Sequence, residues 1–232
     1  MRSKHHTPAA ERTENAPSAR MRQVAGIAFH PWVASVVVYA VGAVGLLTPF
    51  APLFARLTPL LLTGACAVLL ATQAHRTAWL YAWAAAVAVL GYAIEVLGVK
   101  TGAIFGEYSY SGILGPRVLG VPLTIGLNWL QLSLIFGGLA QRLVPHWLAR
   151  AALAALGMVL LDVLLEPAAI ALDFWQWAAG TPPLQNYLGW FLCAAAMQAP
   201  LQYRGHRLHS PWALPLLVGN ALFFLITLLW HG

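Results

Sequence analysis

The chain has 232 residues, of which 60% are hydrophobic and only 9% carry charge. Soluble domains carry charge on about a quarter of their residues, so this composition excludes a soluble enzyme, a nucleic-acid-binding module and a disordered chain. The formal net charge of +6 does not indicate nucleic-acid binding, because the basic residues are scattered singly between apolar runs. Two cysteines cannot form a disulfide scaffold. The composition therefore predicts a polytopic membrane protein.

The first 22 residues differ from the rest of the chain. They are polar, contain proline and hold five of the thirteen Lys and Arg residues, which predicts a disordered cytoplasmic tail over 1–22. The apolar run that follows begins after His30, later than a secretory signal would place it, and indicates a retained helix. The remainder, 23–232, is predicted to be one transmembrane domain.

Seven apolar runs follow the tail, separated by breaks that carry Pro, Gly or Arg. Crossing a hydrocarbon core about 30 Å thick takes roughly 20 mostly apolar residues in a helix. The predicted spans are 31–48, 57–74, 78–97, 121–140, 150–171, 187–202 and 211–230. The sequence thus predicts an all-α, polytopic transmembrane helix bundle with about seven spans.

The loop charges predict the orientation, because cytoplasmic loops carry an excess of Lys and Arg. With the N-terminus inside, the inner loops hold five basic residues besides the tail, namely Arg76, Arg142, Arg150, Arg204 and Arg207. The outer loops hold three, namely Arg56, Lys100 and Arg117. An N-in, C-out integral protein of a bacterial cytoplasmic membrane is therefore expected, in contact with membrane lipid.

Acidic side chains inside the spans are the first candidates for function. A carboxylate at mid-membrane costs on the order of 2.5–3.5 kcal/mol on insertion scales, so it is retained where it faces a cavity or a partner. Asp162, Glu166 and Asp173 are spaced i, i+4, i+11. On one continuous helix they would lie within roughly 40° of one another. Glu95, close to the end of the third span, is a further candidate.

Asp162 and Glu166 form the most informative pair. They would lie about 6 Å apart along the helix axis. Two carboxyl groups this close in a low dielectric cannot comfortably both ionise, so one is expected to keep its proton near neutral pH. Pro167 follows directly and tends to kink the helix there. The competing interpretation is structural: these acids would then pair with neighbouring helices or with Arg and Lys.

Polar and aromatic residues add a second pattern. Thr124, Asn128 and Gln131 make a polar stripe in the fourth span, typical of hydrogen bonding between membrane helices. Two outer loops, over 98–122 and 171–190, are rich in aromatic residues. These rings suit an interfacial aromatic belt or a pocket that offers ring faces to a developing cation.

Several spaced motifs within residues 85–192 occur in one order. In the first half they are Glu95-x-x-Gly98, Phe105-Gly106-x-Tyr108-x-Tyr110, Leu114-Gly115, Gly120-Val121-Pro122-Leu123 and Trp129. In the second half they are Asp162-x-x-x-Glu166-Pro167, Trp175-x-Trp177 and Asn186-Tyr187-x-Gly189-Trp190. In this order they resemble the membrane carotenoid hydratase family, which includes bisanhydrobacterioruberin hydratase and bacterial γ-carotene and lycopene hydratases.

The resemblance implies hydration of the terminal carbon–carbon double bond of an acyclic carotenoid end group, giving a tertiary alcohol. It implies a lipophilic carotenoid substrate and no metal, nucleotide or redox cofactor. The residues themselves suggest the roles. Glu166 or Asp162 would donate the proton, and the other member of the pair or Glu95 would be the base for the water. Asn128 would orient that water.

Aromatic side chains are expected to bind the substrate around these acids. Trp129, Trp175 and Tyr108 would line the cation, and three further contacts are predicted from Tyr110, Trp177 and Trp190. Two other readings stay open: a proton or ion pathway, and another carotenoid-modifying enzyme such as a cyclase or an isomerase. Sequence alone leaves open which carotenoid is used, whether one or both ends react, and the oligomeric state.

Overall fold

The computed structural model describes residues 30–231, so the predicted tail over 1–22 lies outside the described residues. Within that range the chain forms eight helices. They are α1 (Pro31–Leu46), α2 (Ala51–Arg56), α3 (Thr58–Ala71), α4 (Ala78–Thr101), α5 (Thr124–Leu143), α6 (Trp147–Ala171), α7 (Leu184–Tyr203) and α8 (Ala213–His231). Each of the seven predicted spans coincides with one helix, and α2 is an additional short helix.

Among residues 30–231, three helices are long and apolar enough to cross a membrane. They are α4, α6 and the part of α8 over Ala213–Trp230. Helices α1 and α3 are apolar but shorter, with 16 and 14 residues. Helices α5 and α7 have 20 residues each but are less apolar. Their polarity has a structural reason, since α5 buries Gln131 and α7 buries Gln198 and Gln202 between helices.

The end of α6 corrects one expectation. The helix continues through Pro167 but stops at Ala171, before Asp173. Asp173 has a φ of +54°, which is the left-handed conformation, and its side chain is exposed. The predicted alignment of Asp162, Glu166 and Asp173 on one helix face is therefore wrong for Asp173, because the helical rotation does not extend to it.

The two aromatic loops form a small β-structure that the all-α prediction did not include. Strand β1 (Tyr108–Tyr110) pairs antiparallel with β4 (Trp175–Trp177), with Tyr108 opposite Trp177 and Tyr110 opposite Trp175. A second two-stranded pair joins β2 (Arg117–Val118) and β3 (Val121–Pro122). Side chains alternate across a strand, so the four rings of β1 and β4 all turn inward while the residues between them are exposed. We call the β1–β4 pair the aromatic cap.

The cap covers one end of the helix bundle. The C-terminal ends of α4 and α6 and the N-terminal ends of α5 and α7 meet beneath it, because each pair is joined through a cap loop. Gly126 lets α5 approach α4, since a Cβ at this position would lie 2.4 Å from the Ala88 carbonyl oxygen. Gly91 makes room for Trp129 in the same way, with 2.6 Å to its side chain. These close contacts bring α4 and α5 together beneath the cap.

Candidate active site

Three carboxyl groups line a single cavity beneath the aromatic cap. Glu95 comes from α4, and Asp162 and Glu166 come from successive turns of α6. Their exposed fractions are 2%, 4% and 3%, although charged side chains are rarely buried without a partner. The predicted face of α6 is therefore confirmed for the Asp162–Glu166 pair, and Glu95 faces it from the neighbouring helix.

Glu95 accepts three hydrogen bonds from aromatic side chains. Tyr108 and Tyr110 donate their hydroxyls to Oε2 at 2.6 and 2.8 Å. Trp129 donates its indole N–H to Oε1 at 3.0 Å. Burial and the charge of the Glu95 carboxylate raise the pKa of both tyrosine hydroxyls in the cap, so both remain donors. Three donors on one carboxyl group stabilise its negative charge.

Glu166 is held by the second strand of the cap. Trp175 and Trp177 donate their indole N–H groups to the same oxygen, Oε2, at 3.0 and 2.8 Å. Two residues apart on β4, both indoles point to the interior, which explains how one carboxylate oxygen reaches both. The cap thus holds Glu95 through β1 and Glu166 through β4.

Asp162 has a different environment. Asn186, in the first turn of α7, donates from Nδ2 to Asp162 Oδ2 at 3.0 Å. Asn186 is buried and lines the cavity, yet it was not among the site residues predicted from the sequence. Its presence in the Asn186-Tyr187-x-Gly189-Trp190 motif was the signal that could have identified it. Within the described part of the chain, Asp162 receives fewer hydrogen bonds than either glutamate.

The aromatic side chains form a continuous wall around the acids. The indole rings of Trp129 and Trp190 stack with centroids 4.0 Å apart and planes inclined by 16°. Across the cap, Tyr108 lies 4.9 Å from Trp177 and Tyr110 lies 5.8 Å from Trp175 between ring centroids. The two separations across the cap lie in the range of about 4.5–7 Å at which aromatic pairs attract one another, and the closer Trp129–Trp190 pair is stacked.

Nine of the ten residues predicted for the site line this cavity. They are Glu95, Tyr108, Tyr110, Asn128, Asp162, Glu166, Trp175, Trp177 and Trp190. The tenth, Trp129, is fully buried behind the wall, where it supports Glu95 and Trp190 instead of facing the cavity. Ile125 and Asn186 complete the lining.

The cavity is small and acidic. Its volume is about 20 Å³, which is room for a single water molecule. No Lys, Arg or His side chain contributes to its lining among residues 30–231, so three carboxyl groups share the space without a cation. Among residues 30–231, no group of three or more His, Cys, Asp or Glu side chains has an arrangement that could hold a metal ion.

The remaining polar candidates lie elsewhere. Glu107 and Asp173 are exposed. Thr124 donates to the Leu114 carbonyl oxygen at 2.9 Å, which is a bond from α5 to a loop and not the bond between helices expected of the polar stripe. Gln131 is buried away from the acids, and its Oε1 has no hydrogen-bond partner among the described residues.

Comparison with known proteins agrees with the motifs. Residues 55–230 match the model of a family described as "Carotenoid biosynthesis protein". Bisanhydrobacterioruberin hydratase of Haloarcula japonica is 34% identical over 115 residues, which cover 46% of this chain and 39% of that protein. No solved structure matches the chain significantly. The resemblance predicted from the sequence is confirmed, and this chain belongs to the carotenoid biosynthesis protein family.

Proposed function

We propose that this protein hydrates the terminal carbon–carbon double bond of an acyclic carotenoid end group and so makes a tertiary alcohol. The observation that carries the proposal is the convergence of Glu95, Asp162 and Glu166 in one buried, aromatic-walled cavity without a basic side chain. Three carboxyl groups in a low dielectric cannot all ionise together, so the cavity keeps at least one proton available near neutral pH. Family membership and the hydratase relative support the same chemistry.

The reaction is an addition of water in three balanced steps. A carboxyl O–H gives its proton to the less substituted alkene carbon, and the π electrons form the new C–H bond. The tertiary cation that remains takes an electron pair from a water oxygen. The bound water then loses a proton to a carboxylate, which leaves the alcohol. No electrons leave or enter, so the reaction needs no redox cofactor, and we propose a hydro-lyase that, as the family resemblance implies, also uses no metal.

The hydrogen bonds suggest how the acids divide these tasks. Glu95, with three donors, is best stabilised as a carboxylate and suits the base that takes the proton from water. Asp162, with a single amide donor, has the least support for a negative charge and suits the proton donor. Glu166 lies one turn away and is bound by two indole N–H groups. For the next turnover the proton that Glu95 takes from water must reach Asp162, and Glu166, which lines the same cavity, suits the relay between them.

The aromatic wall suits the cationic intermediate. Ring faces attract a cation by about 0.5–2 kcal/mol each, more when water is excluded. Trp175, Trp190 and Tyr108 line the cavity where the cation would form. Asn128 lines it too and offers both a donor and an acceptor for orienting the water.

We further propose that the seven helices other than α2 cross the membrane, with the N-terminus in the bacterial cytoplasm. The two marginal helices, α5 and α7, would be shielded from lipid by the apolar ones. In this orientation the aromatic cap and the acids lie near the outer face. Reporter fusions after residues 76, 118, 146, 181 and 207 test this, since an active periplasmic reporter is expected only at 118 and 181.

The decisive experiment is pigment analysis after expression in a host that makes lycopene, with growth in water enriched in heavy oxygen. We expect a product heavier than lycopene by one water, with the label in its hydroxyl group. A new cyclic product without oxygen would instead identify a cyclase, which uses similar acid chemistry. Unchanged lycopene, with the protein inserted and folded, would refute the hydratase proposal for this substrate. Proton flux in liposomes would then favour the ion-pathway reading.

A further inference from the structure

A second cavity lies directly beside the acids, deeper in the bundle. We call it the inner cavity, and it shares the side chains of Ile125, Asn128 and Trp175 with the acid cavity. Its remaining walls come largely from helices that do not contribute to the acid site, α1, α3 and α8. Its volume is about 70 Å³. Apart from a few amide and hydroxyl groups, these walls are apolar.

A third space continues the inner cavity toward the surface. We call it the outer groove, and it shares Thr58, Leu61, Phe174 and Phe223 with the inner cavity. Its volume is about 310 Å³. Its α1 wall runs from Val37 to Leu46, a rise of about 14 Å along the helix. The outer groove, the inner cavity and the acid cavity therefore form one series of spaces, which we call the corridor.

The mouth of the corridor is apolar and faces outward from the helix bundle. Val37 and Val41 on α1 are each 55% exposed, and Leu57 is 43% exposed. Thr58 alone among the side chains of the outer groove carries a polar atom, in the part of the chain that the structure describes. A lateral apolar mouth admits a molecule dissolved in the hydrocarbon core and disfavours a charged or hydrated one.

The polar atoms of the corridor lie at its inner part. Gln131 Oε1 and the Tyr39 hydroxyl line the inner cavity, and neither has a hydrogen-bond partner in residues 30–231. Buried polar atoms are normally paired, so these two atoms mark places in the inner cavity that suit a water molecule. The corridor thus runs from a mouth whose side chains are apolar except for Thr58 to an inner cavity that also contains the amide side chains of Asn128 and Gln131.

We infer that the corridor binds the body of a linear polyene, which slides in laterally between α1, α3 and α8 and presents its end group to the acids. This inference rests on the proposed function for the identity of the end group. A conjugated chain cannot coil, so it needs a straight apolar passage that ends at the reacting atoms. The acids and the cap come from α4 to α7, whereas the corridor walls beyond them come mainly from the other helices. Residues of α1, α3 and α8 therefore select which acyclic carotenoid reacts.

Passage into the acid cavity requires side-chain movement. The acid cavity holds about 20 Å³, less than a branched end group occupies. Trp175 lines both sides of the junction and is only half-buried, and Phe174 precedes it on the corridor side. Rotation of Trp175 would open the way and release one of the two indole bonds to Glu166. Arrival of the end group is thus coupled to the hydrogen bonding of an acid.

Tryptophan substitutions at the corridor wall test this inference. Leu61→Trp narrows the corridor where the outer groove meets the inner cavity, and its matched control Leu60→Trp adds the same ring at a neighbour that is 69% exposed. Val38→Trp narrows the opposite wall, and Val36→Trp, at a position 61% exposed, is its control. Two readouts are measured in detergent. The first is the amount of lycopene that the purified protein retains, measured by its visible absorbance. The second is the rate of hydration of lycopene and of a ten-carbon acyclic terpene with the same terminal double bond.

We expect Leu61→Trp and Val38→Trp to lose at least tenfold in lycopene binding and hydration, with hydration of the short terpene within twofold of the wild type. Both controls should match the wild type on both substrates. Equal losses on the two substrates in folded protein, or lycopene hydration at the level of the controls, would overturn the corridor. A wild type that retains lycopene without hydrating either substrate would refute the proposed function, and the binding comparison would still decide the corridor.

Discussion

Asn186 at the start of α7 donates a hydrogen bond to Asp162 in the middle of α6, over 3.0 Å. This contact joins the two helices at the acid cavity and is the only hydrogen bond of the Asp162 carboxyl group with the described residues. It fixes the orientation of the group that we propose to carry the proton.

Replacing Asn186 by Leu should lower hydration without preventing membrane insertion. The variant removes the amide donor, leaves Asp162 unpaired and costs about 1–3 kcal/mol of stability. We expect hydration of lycopene to fall by roughly tenfold or more, because the carboxyl group is no longer oriented. The neighbouring Gln185→Ala is the control, since Gln185 is exposed and its side chain binds only the carbonyl oxygens of Gly102 and Ala103, which follow α4. Equal product from Asn186→Leu and Gln185→Ala would exclude a role for Asn186.

Removing the carboxyl groups of the pair should abolish the reaction. Glu166→Gln and Asp162→Asn keep the side-chain shape but remove the acid, and general acid–base catalysis contributes about 10²–10⁴-fold. Product formation should fall by that factor in either variant, measured by chromatography of pigments at equal protein level. Glu107→Gln removes an exposed carboxyl group in the cap loop and should keep full yield. Normal hydroxycarotenoid from Glu166→Gln would remove Glu166 from the mechanism.

The two tyrosine bonds to Glu95 should prove partly interchangeable. Tyr108 and Tyr110 donate to the same oxygen, so the loss of one hydroxyl leaves that oxygen still bonded. A bond to a charged group contributes about 1.5–3 kcal/mol, so the double variant Tyr108→Phe/Tyr110→Phe should lose roughly tenfold to 100-fold in rate.

If the two hydroxyls acted independently and equally, each single variant would lose the square root of the fold-loss in rate of the double variant. We expect each single variant to lose much less than that, and a double-mutant cycle measures the difference. Tyr203→Phe, at a residue that is 73% exposed, is the control. Purely additive losses would show that the two hydroxyls act independently.

Gly126→Ala should destabilise the fold. The added methyl group would lie 2.4 Å from the Ala88 carbonyl oxygen and would force α4 and α5 apart. Overpacking of this kind costs about 1–3 kcal/mol, so thermal unfolding in detergent should shift several degrees lower. Gly64→Ala is the matched control, because a Cβ there meets nothing within 4 Å and alanine favours a helix. Equal melting temperatures for the two variants would show that the α4–α5 contact tolerates more space than its geometry indicates.

The β-structure of the two aromatic loops depends on pairing that local sequence does not specify. Their aromatic content was evident, and the motifs Phe105-Gly106-x-Tyr108-x-Tyr110 and Trp175-x-Trp177 already had the alternation of strands. Pairing between them joins residues 69 positions apart, since Tyr108 lies opposite Trp177, and no local pattern specifies such a partner. Trp129 is a related case: its type suggested a ring facing the cation, but packing against Gly91 turns it toward Glu95.

Hydropathy placed the seven long helices, and the spacing of Asp162 and Glu166 put both carboxyl groups on one face, because helical periodicity is a local property of the chain. Only the tertiary structure decided four other features. They are the oxygen that each donor binds, the pairing of Asn186 with Asp162, the burial of Glu95 against α6 and the path from the apolar mouth to the acids. Each depends on how side chains from separate helices and strands approach one another, and that distance is set by packing across the whole bundle.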